Sequence, residues 1–265
     1  DAPLASRQLA LVGFWSLGFA GVWWGASQLL FGPGPDWVAG VAAALGLAWP
    51  IGALANAANI SLTLEGSWTG LSEKPAVLSG VLGLYLTFGV AAMAALAGFR
   101  SVGSVTSLTP YWEAIEYVAL AGVGTLLISS ATFGALPRVV GRELRSAAKA
   151  RRFHRLTVAG SVGVLLSLGA AGMMAGYSWI AGSNSAAYVD AGEGWGAGLG
   201  NSYDTLILVA LLFAVVLLAG LGGYASIVFG TVARGKAIPQ EVLVAREAGP
   251  EVDDLQPQPE GAGDE

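Results

Sequence analysis

The chain of 265 residues contains no cysteine and a single histidine, His154. The lack of thiols rules out disulfides, thiolate-held zinc, iron–sulfur clusters and Cys-linked c-type haem. One imidazole cannot supply bis-histidine haem ligation or a three-histidine copper site. Charge is scarce as well, at 12% of residues, about half the share of an ordinary soluble domain. Six of the 18 acids (Glu251, Asp253, Asp254, Glu260, Asp264, Glu265) fall in the last fifteen positions, so the body is close to neutral although the net charge is −5. No basic footprint for nucleic acid is present. Nor is there a phosphate-binding glycine loop, a nucleophile elbow or a zinc-ligand spacing.

What is abundant is apolar. Hydrophobic residues make up 54% of the chain and the mean hydropathy is +0.63, a surface that water would not solvate. A bilayer core about 30 Å thick needs roughly 20 apolar residues in helix, because no water satisfies bare backbone groups there. Six stretches qualify: Leu9–Leu30, Trp37–Leu62, Ala76–Phe99, Ala114–Leu136, Leu156–Ile180 and Leu206–Val232. These predict an all-α polytopic membrane protein with a six-span domain over residues 1–236. Pro50 is expected to kink the second span. The first residue is Asp1, and Leu9–Leu30 has neither a basic leader nor a small-residue cleavage site. It reads as a true span rather than a signal peptide, and the missing Met as a processed chain or a piece of a longer one.

Between the fourth and fifth spans, Pro137 to Arg155 carries seven bases, Arg138, Arg142, Arg145, Lys149, Arg151, Arg152 and Arg155, against one acid, Glu143. The positive-inside rule makes this loop cytoplasmic, and an even span count then places both termini in the cytoplasm. Arg7, Arg234 and Lys236 agree, as do Asp36, Asp190, Glu193 and Asp204 on the opposite side, where Arg100 is the lone base. Residues 237–265 are Pro-, Gly- and acid-rich and read as a disordered, solvated cytoplasmic tail. Scarce lysine and the acidic tail point to the cytoplasmic membrane of a prokaryote.

Few residues could carry chemistry. The 39 glycines fit close helix packing, and tryptophans at span ends fit the membrane interface. His154, among Arg151, Arg152 and Arg155, is expected at the interface in a structural or lipid-facing role rather than as a metal ligand. Glu116, with Glu113 one turn earlier, stands near the outer end of the fourth span. An acid there is either a buried functional group or an interfacial anchor. Asn56 and Asn59 in the second span, with Ser27, Gln28 and Thr125, fit interhelical hydrogen bonding better than substrate contact.

Several stretches, read in order, resemble the C-terminal half of the catalytic subunit of haem–copper oxidases, most closely the cbb-type cytochrome c oxidases and the nitric oxide reductases. They are Gly13-Phe14-Trp15 leading to Gly25-Ala26-Ser27-Gln28 and Gly32-Pro33-Gly34-Pro35-Asp36-Trp37; Leu64-Glu65-Gly66-Ser67-Trp68; Phe99-Arg100-Ser101-Val102; and Leu136-Pro137-Arg138 through Arg142-Glu143. Tyr203 through Gly222-Gly223 to Lys236 is similar to the family's terminal helix. The resemblance covers nearly the whole chain to Lys236 and implies a half bundle like helices seven to twelve of the twelve-helix subunit I.

The family's chemistry does not follow. Its His-His copper ligands correspond to Ser27 and Gln28, its tyrosine to Gly21, and its His-x-His haem ligands to Ile115 and Tyr117. No histidine lies from Tyr111 to Arg152. The resemblance therefore implies an oxidase-like scaffold with vacated ligand positions, no cofactor of its own, and other membrane subunits or a missing N-terminal half as partners within the bilayer. Three readings stand: a metal-free accessory subunit of a respiratory electron-transfer complex; a split or truncated subunit of an active terminal oxidase or nitric oxide reductase, with haem and copper ligands from another chain; and a proton-conducting or transport protein using Glu116. No inverted repeat supports the last.

Overall fold

The computed structural model describes residues 4–22, 35–144, 146–184 and 195–239. Among them all repeating structure is helical. Helix α1 (Arg7–Val22) is followed by α2 (Asp36–Thr63), a 3₁₀ turn (Trp68–Glu73), α3 (Pro75–Gly98) and the short α4 (Arg100–Thr106). Next come α5 (Pro110–Tyr117), a π-helical segment (Val118–Gly124) and α6 (Thr125–Val140), then α7 (Ala147–Asn184) and α8 (Trp195–Arg234). The segments α5, π and α6 form one continuous helix from Pro110 to Val140.

Five helices among the described residues are long and apolar enough to cross a membrane: Ala43–Thr63, Pro75–Gly98, Pro110–Val140, Ala148–Ile180 and Ser202–Arg234. The protein is thus an all-α, polytopic integral membrane protein. The remaining expected span, Leu9–Leu30, is described as far as Val22. Helix α2 runs continuously through Pro50.

Local chemistry sets the helix ends. Pro75 and Pro110 occupy first-turn positions, where the missing N–H costs no intrahelical bond. The Thr109 hydroxyl accepts from the Tyr111 N–H, and Glu113 places a carboxylate in the first turn, where the helix dipole favours it. Gly141, at φ 65°, stops α6 in the left-handed conformation that glycine adopts without strain.

The region expected as a long basic loop is mostly helix. Arg138 sits in the last turn of α6, and Lys149, Arg151, Arg152 and Arg155 ride on the first turns of α7, leaving only residues 141–146 as the connection. Arg and Lys have good helix propensity and long stems, so a charged segment continues a spanning helix beyond the point where hydropathy ends.

Successive spans alternate in direction. The Ala5 N–H donates to Thr63 Oγ1 (3.1 Å), joining the start of α1 to the end of α2. Ser130 donates to the Ala76 carbonyl (2.8 Å), joining α6 to the start of α3. The Glu143 N–H donates to the Lys236 carbonyl and the Ile238 N–H to the Gly141 carbonyl, both at 2.8 Å, tying the α6–α7 connection to the chain after α8. Arg142 adds a guanidinium bond to the Val232 carbonyl (3.0 Å) near the α8 C-terminus. One end of the bundle consequently collects Arg138, Arg142, Arg151, Arg152, Arg155, Arg234 and Lys236.

The core lies where α3, the Pro110–Val140 helix and α7 meet, around Val90, Tyr111, Ile115, Leu126, Phe133 and Phe153. Glycines bring these backbones together: a Cβ at Gly172 would stand 2.7 Å from Tyr111 Cα, and one at Gly160 2.7 Å from Leu217 Cα.

Candidate functional site

The fourth span holds Ile115 and Tyr117, the positions that the sequence resemblance would set against haem ligands. Ile115 is fully buried, packed in the core with Tyr111, Trp112 and Val118. Tyr117, two residues on, is 56% exposed. The sec-butyl side chain of Ile115 is a hydrocarbon and offers iron no lone pair. Ile115 therefore does not fit as a haem ligand. Glu113 is exposed and its first-turn position gives it a structural role; Glu116 is half-buried. Ser27 and Gln28 lie outside the described residues, as does Arg145. Among the described residues no group of three or more His, Cys, Asp or Glu could hold a metal ion.

Directly after Tyr117 comes the π segment Val118–Gly124, where helical closure widens from i→i+4 to i→i+5. Such segments recur at functional sites. Its Gly122 abuts Ser161 of α7 so closely that a Cβ there would collide with the hydroxyl.

The polar group that the fold brings into the core is His154. Of the structural and lipid-facing roles expected for it, the structural one fits: it is 3% exposed, while Arg151, Arg152 and Arg155 around it are exposed. The reason is helical phase: within α7 it turns inward with Phe153 while its basic neighbours turn out. His154 Nε2 shares a 2.6 Å hydrogen bond with Ser79 Oγ of α3, itself fully buried. Phe133 stacks edge-on against both Phe153 (5.8 Å) and His154 (6.4 Å). Tyr224 of α8 closes the cluster beside Phe153 and bonds Thr132 (2.9 Å). Three buried polar atoms on α7 have no hydrogen-bond partner among the described residues: His154 Nδ1, Thr157 Oγ1 and Ser161 Oγ. Their spacing of three and four residues places them along one side of the helix. That spacing was legible in the sequence and is the signal that a polar face begins at His154.

The asparagines act between helices. Asn59 Oδ1 accepts from the Ser6 N–H at 3.0 Å, and the side chain is 4% exposed. Asn56 lies against Gly13 of α1 so tightly that a Cβ there would overlap its amide. Thr125 is buried in the first turn of α6. Asn56 lies on the side of α2 that meets α1, and the packing order runs α1 on α2, α2 on α3, and α3 on α6 and α7.

Compared with known proteins, the chain matches no protein-family model, and no curated protein matches its sequence. The site's chemistry therefore rests on its own residues. It offers one buried imidazole, a column of hydroxyls and an aromatic wall, a set suited to hydrogen bonding and packing.

Proposed function

We propose that the chain is a non-catalytic, oxidase-like transmembrane subunit that binds no haem or copper of its own and serves as a scaffold or accessory in a respiratory electron-transfer complex. The observation that carries this reading is the position of Ile115 and Tyr117. Ile115, a hydrocarbon side chain with no atom that could ligate iron, is sealed in the core, and Tyr117 lies on the exposed face, which supports a metal-free reading of this helix. The apolar outward face of α8, with Leu208, Leu211, Leu212, Val215 and Leu218 all more than half exposed, supports lipid or partner contact. The basic end of the bundle would face the cytoplasm with both termini.

The test is a reduced-minus-oxidised haem spectrum and a copper assay on the chain purified from its native membrane with whatever co-purifies. Oxidase subunits without haem assignable to this chain is the expected result. Stoichiometric haem or copper bound to it would favour a split active oxidase instead.

A second reading, proton conduction, draws on the buried and unpartnered His154 Nδ1, Thr157 Oγ1 and Ser161 Oγ. Reconstitution in vesicles with an internal pH dye separates the two. A potential-driven proton flux abolished by Glu116→Gln or Thr157→Val would support conduction, and unchanged flux would remove Glu116 from any functional role.

A further inference from the structure

Two grooves flank the outer ridge of α7. The first, of about 640 Å³, opens between α3 and the basic end of α7. Its walls are Leu78 and Leu82 on one side and Val158, Ala159 and Val162 on the other, and Arg151 and Arg155 stand at one end. His154, with Nδ1 unpartnered among the described residues, also lines it. The second groove, about 430 Å³, shares Ala159 and Val162 with the first and continues between α7 and α8 past Leu166 to Leu206, Val209 and Phe213.

The path is cationic at one end and apolar beyond. Along α7 the first groove runs from Arg151 to Val162, eleven helical residues and about 17 Å at the rise of an α-helix, close to half of a bilayer core about 30 Å thick. Arg151 and Arg155 are one turn apart, so both guanidinium groups can fork onto one phosphodiester. Among the described residues no acid lines the first groove; Ser72 is its only contribution from the 3₁₀ turn, and neighbouring Glu73 does not line it. A zwitterionic headgroup would bring its own ammonium to this cationic mouth, whereas a net-negative one would not.

We propose that this groove is a binding site for a net-negative diacyl phospholipid of the leaflet at the basic end, with the phosphodiester on Arg151 and Arg155 and acyl chain along Leu78, Leu82, Val158 and Val162. The site is independent of the oxidase resemblance. Its length matches one leaflet, its charge is complementary to the headgroup, and His154, whose Nδ1 has no partner among the described residues, is one of its lining residues.

Native mass spectrometry of the full chain, released from detergent after exposure to phosphatidylglycerol or phosphatidylcholine of identical chains, tests it. Wild type is expected to retain phosphatidylglycerol preferentially. Arg151→Gln and Arg155→Gln should each weaken retention about fivefold, as expected for one surface charge near an anionic headgroup. Ala159→Trp, which fills the apolar path without touching charge, should also lose the adduct. Arg152→Gln is the control: Arg152 is exposed on the same turns of α7 but does not line the groove, so its loss should change retention less than twofold. Equal retention of both lipids by wild type, an Arg152→Gln loss as large as that of Arg155→Gln, or undiminished binding in Ala159→Trp would each overturn the site.

Discussion

Helices α7 and α8 are nearly equal in length, 38 and 40 residues, and pack along one another. Yet 44% of the spanning window of α7 is buried and only 17% of that of α8. The buried helix is the one with His154, Thr157, Ser161 and Ser167 in its span; the exposed one is richer in leucine and valine. In water the order would be reversed. In a bilayer the solvent is itself apolar, so leucine gains nothing by leaving it, while hydroxyls, imidazole and glycine backbones gain partners and close contact inside the bundle. What holds α7 in place is shape and polar pairing, and what suits α8 to its position is its similarity to lipid.

The sharpest way to break this contrast is to add volume at a glycine on each helix. Gly172→Val on α7 would drive side-chain atoms into the Tyr111 backbone, where even a Cβ stands 2.7 Å from Cα. We expect a loss of about 3 kcal/mol or more, at or above the usual overpacking range, read as a collapse of the thermal unfolding midpoint in detergent. Gly222→Ala on α8 meets open space and should be neutral or stabilising by up to about 1 kcal/mol through helix propensity. A large loss at Gly222 would mean that α8 has a close neighbour on that side.

Removing volume comes next. Phe153→Ala, from a side chain 1% exposed, should cost about 3–5 kcal/mol, much of it from the cavity left in a packed interior. Leu212→Ala, from one 68% exposed, should cost less than about 0.5 kcal/mol in lipid. Comparable losses would show that a partner or another part of the chain covers Leu212.

Polar pairing is the third test. Ser79→Ala leaves both nitrogens of His154 without a partner among the described residues and should cost about 1–2 kcal/mol. Adding His154→Phe to that variant should recover part of the loss, and the cycle of single and double variants gives the pair energy. If the two single changes simply add, the 2.6 Å contact contributes nothing. Of the polar contacts, the smaller effect is expected at the edge of the bundle, where Asn59→Ala releases the Ser6 N–H before α1. About 0.5–1 kcal/mol, with earlier protease cleavage of the N-terminal segment, would fit a single interhelical bond.

The helix bounds of α2 and α3 were legible to within one or two residues, because hydropathy ends at Thr63 and resumes at Pro75 with a turn between. The fourth and fifth spans ran past their apolar limits, since Thr109-Pro110 starts a helix before hydropathy rises and Lys149–Arg155 extends one where it has fallen. The inward turn of His154 was not read, although its spacing to Thr157 and Ser161 was available. A single basic run gives no phase until Ser79 and Phe133 arrive from other helices. Which of Ile115 and Tyr117 faces the core was equally a matter of neighbours. The π segment left no trace in composition, because Val118–Gly124 is as apolar as the helix on either side.

That segment has a consequence for experiment. Each π turn takes up about one residue more than an α turn, so the two ends of the Pro110–Val140 helix are out of phase, and a face drawn from Glu113 does not continue straight to Ser130. The protein is also a natural background for site-specific labelling, since it contains no cysteine. Single cysteines placed in turn from Pro110 to Val140 and challenged with a membrane-permeant maleimide should trace two periodic reactivity waves with a slip between them, centred near Ala121.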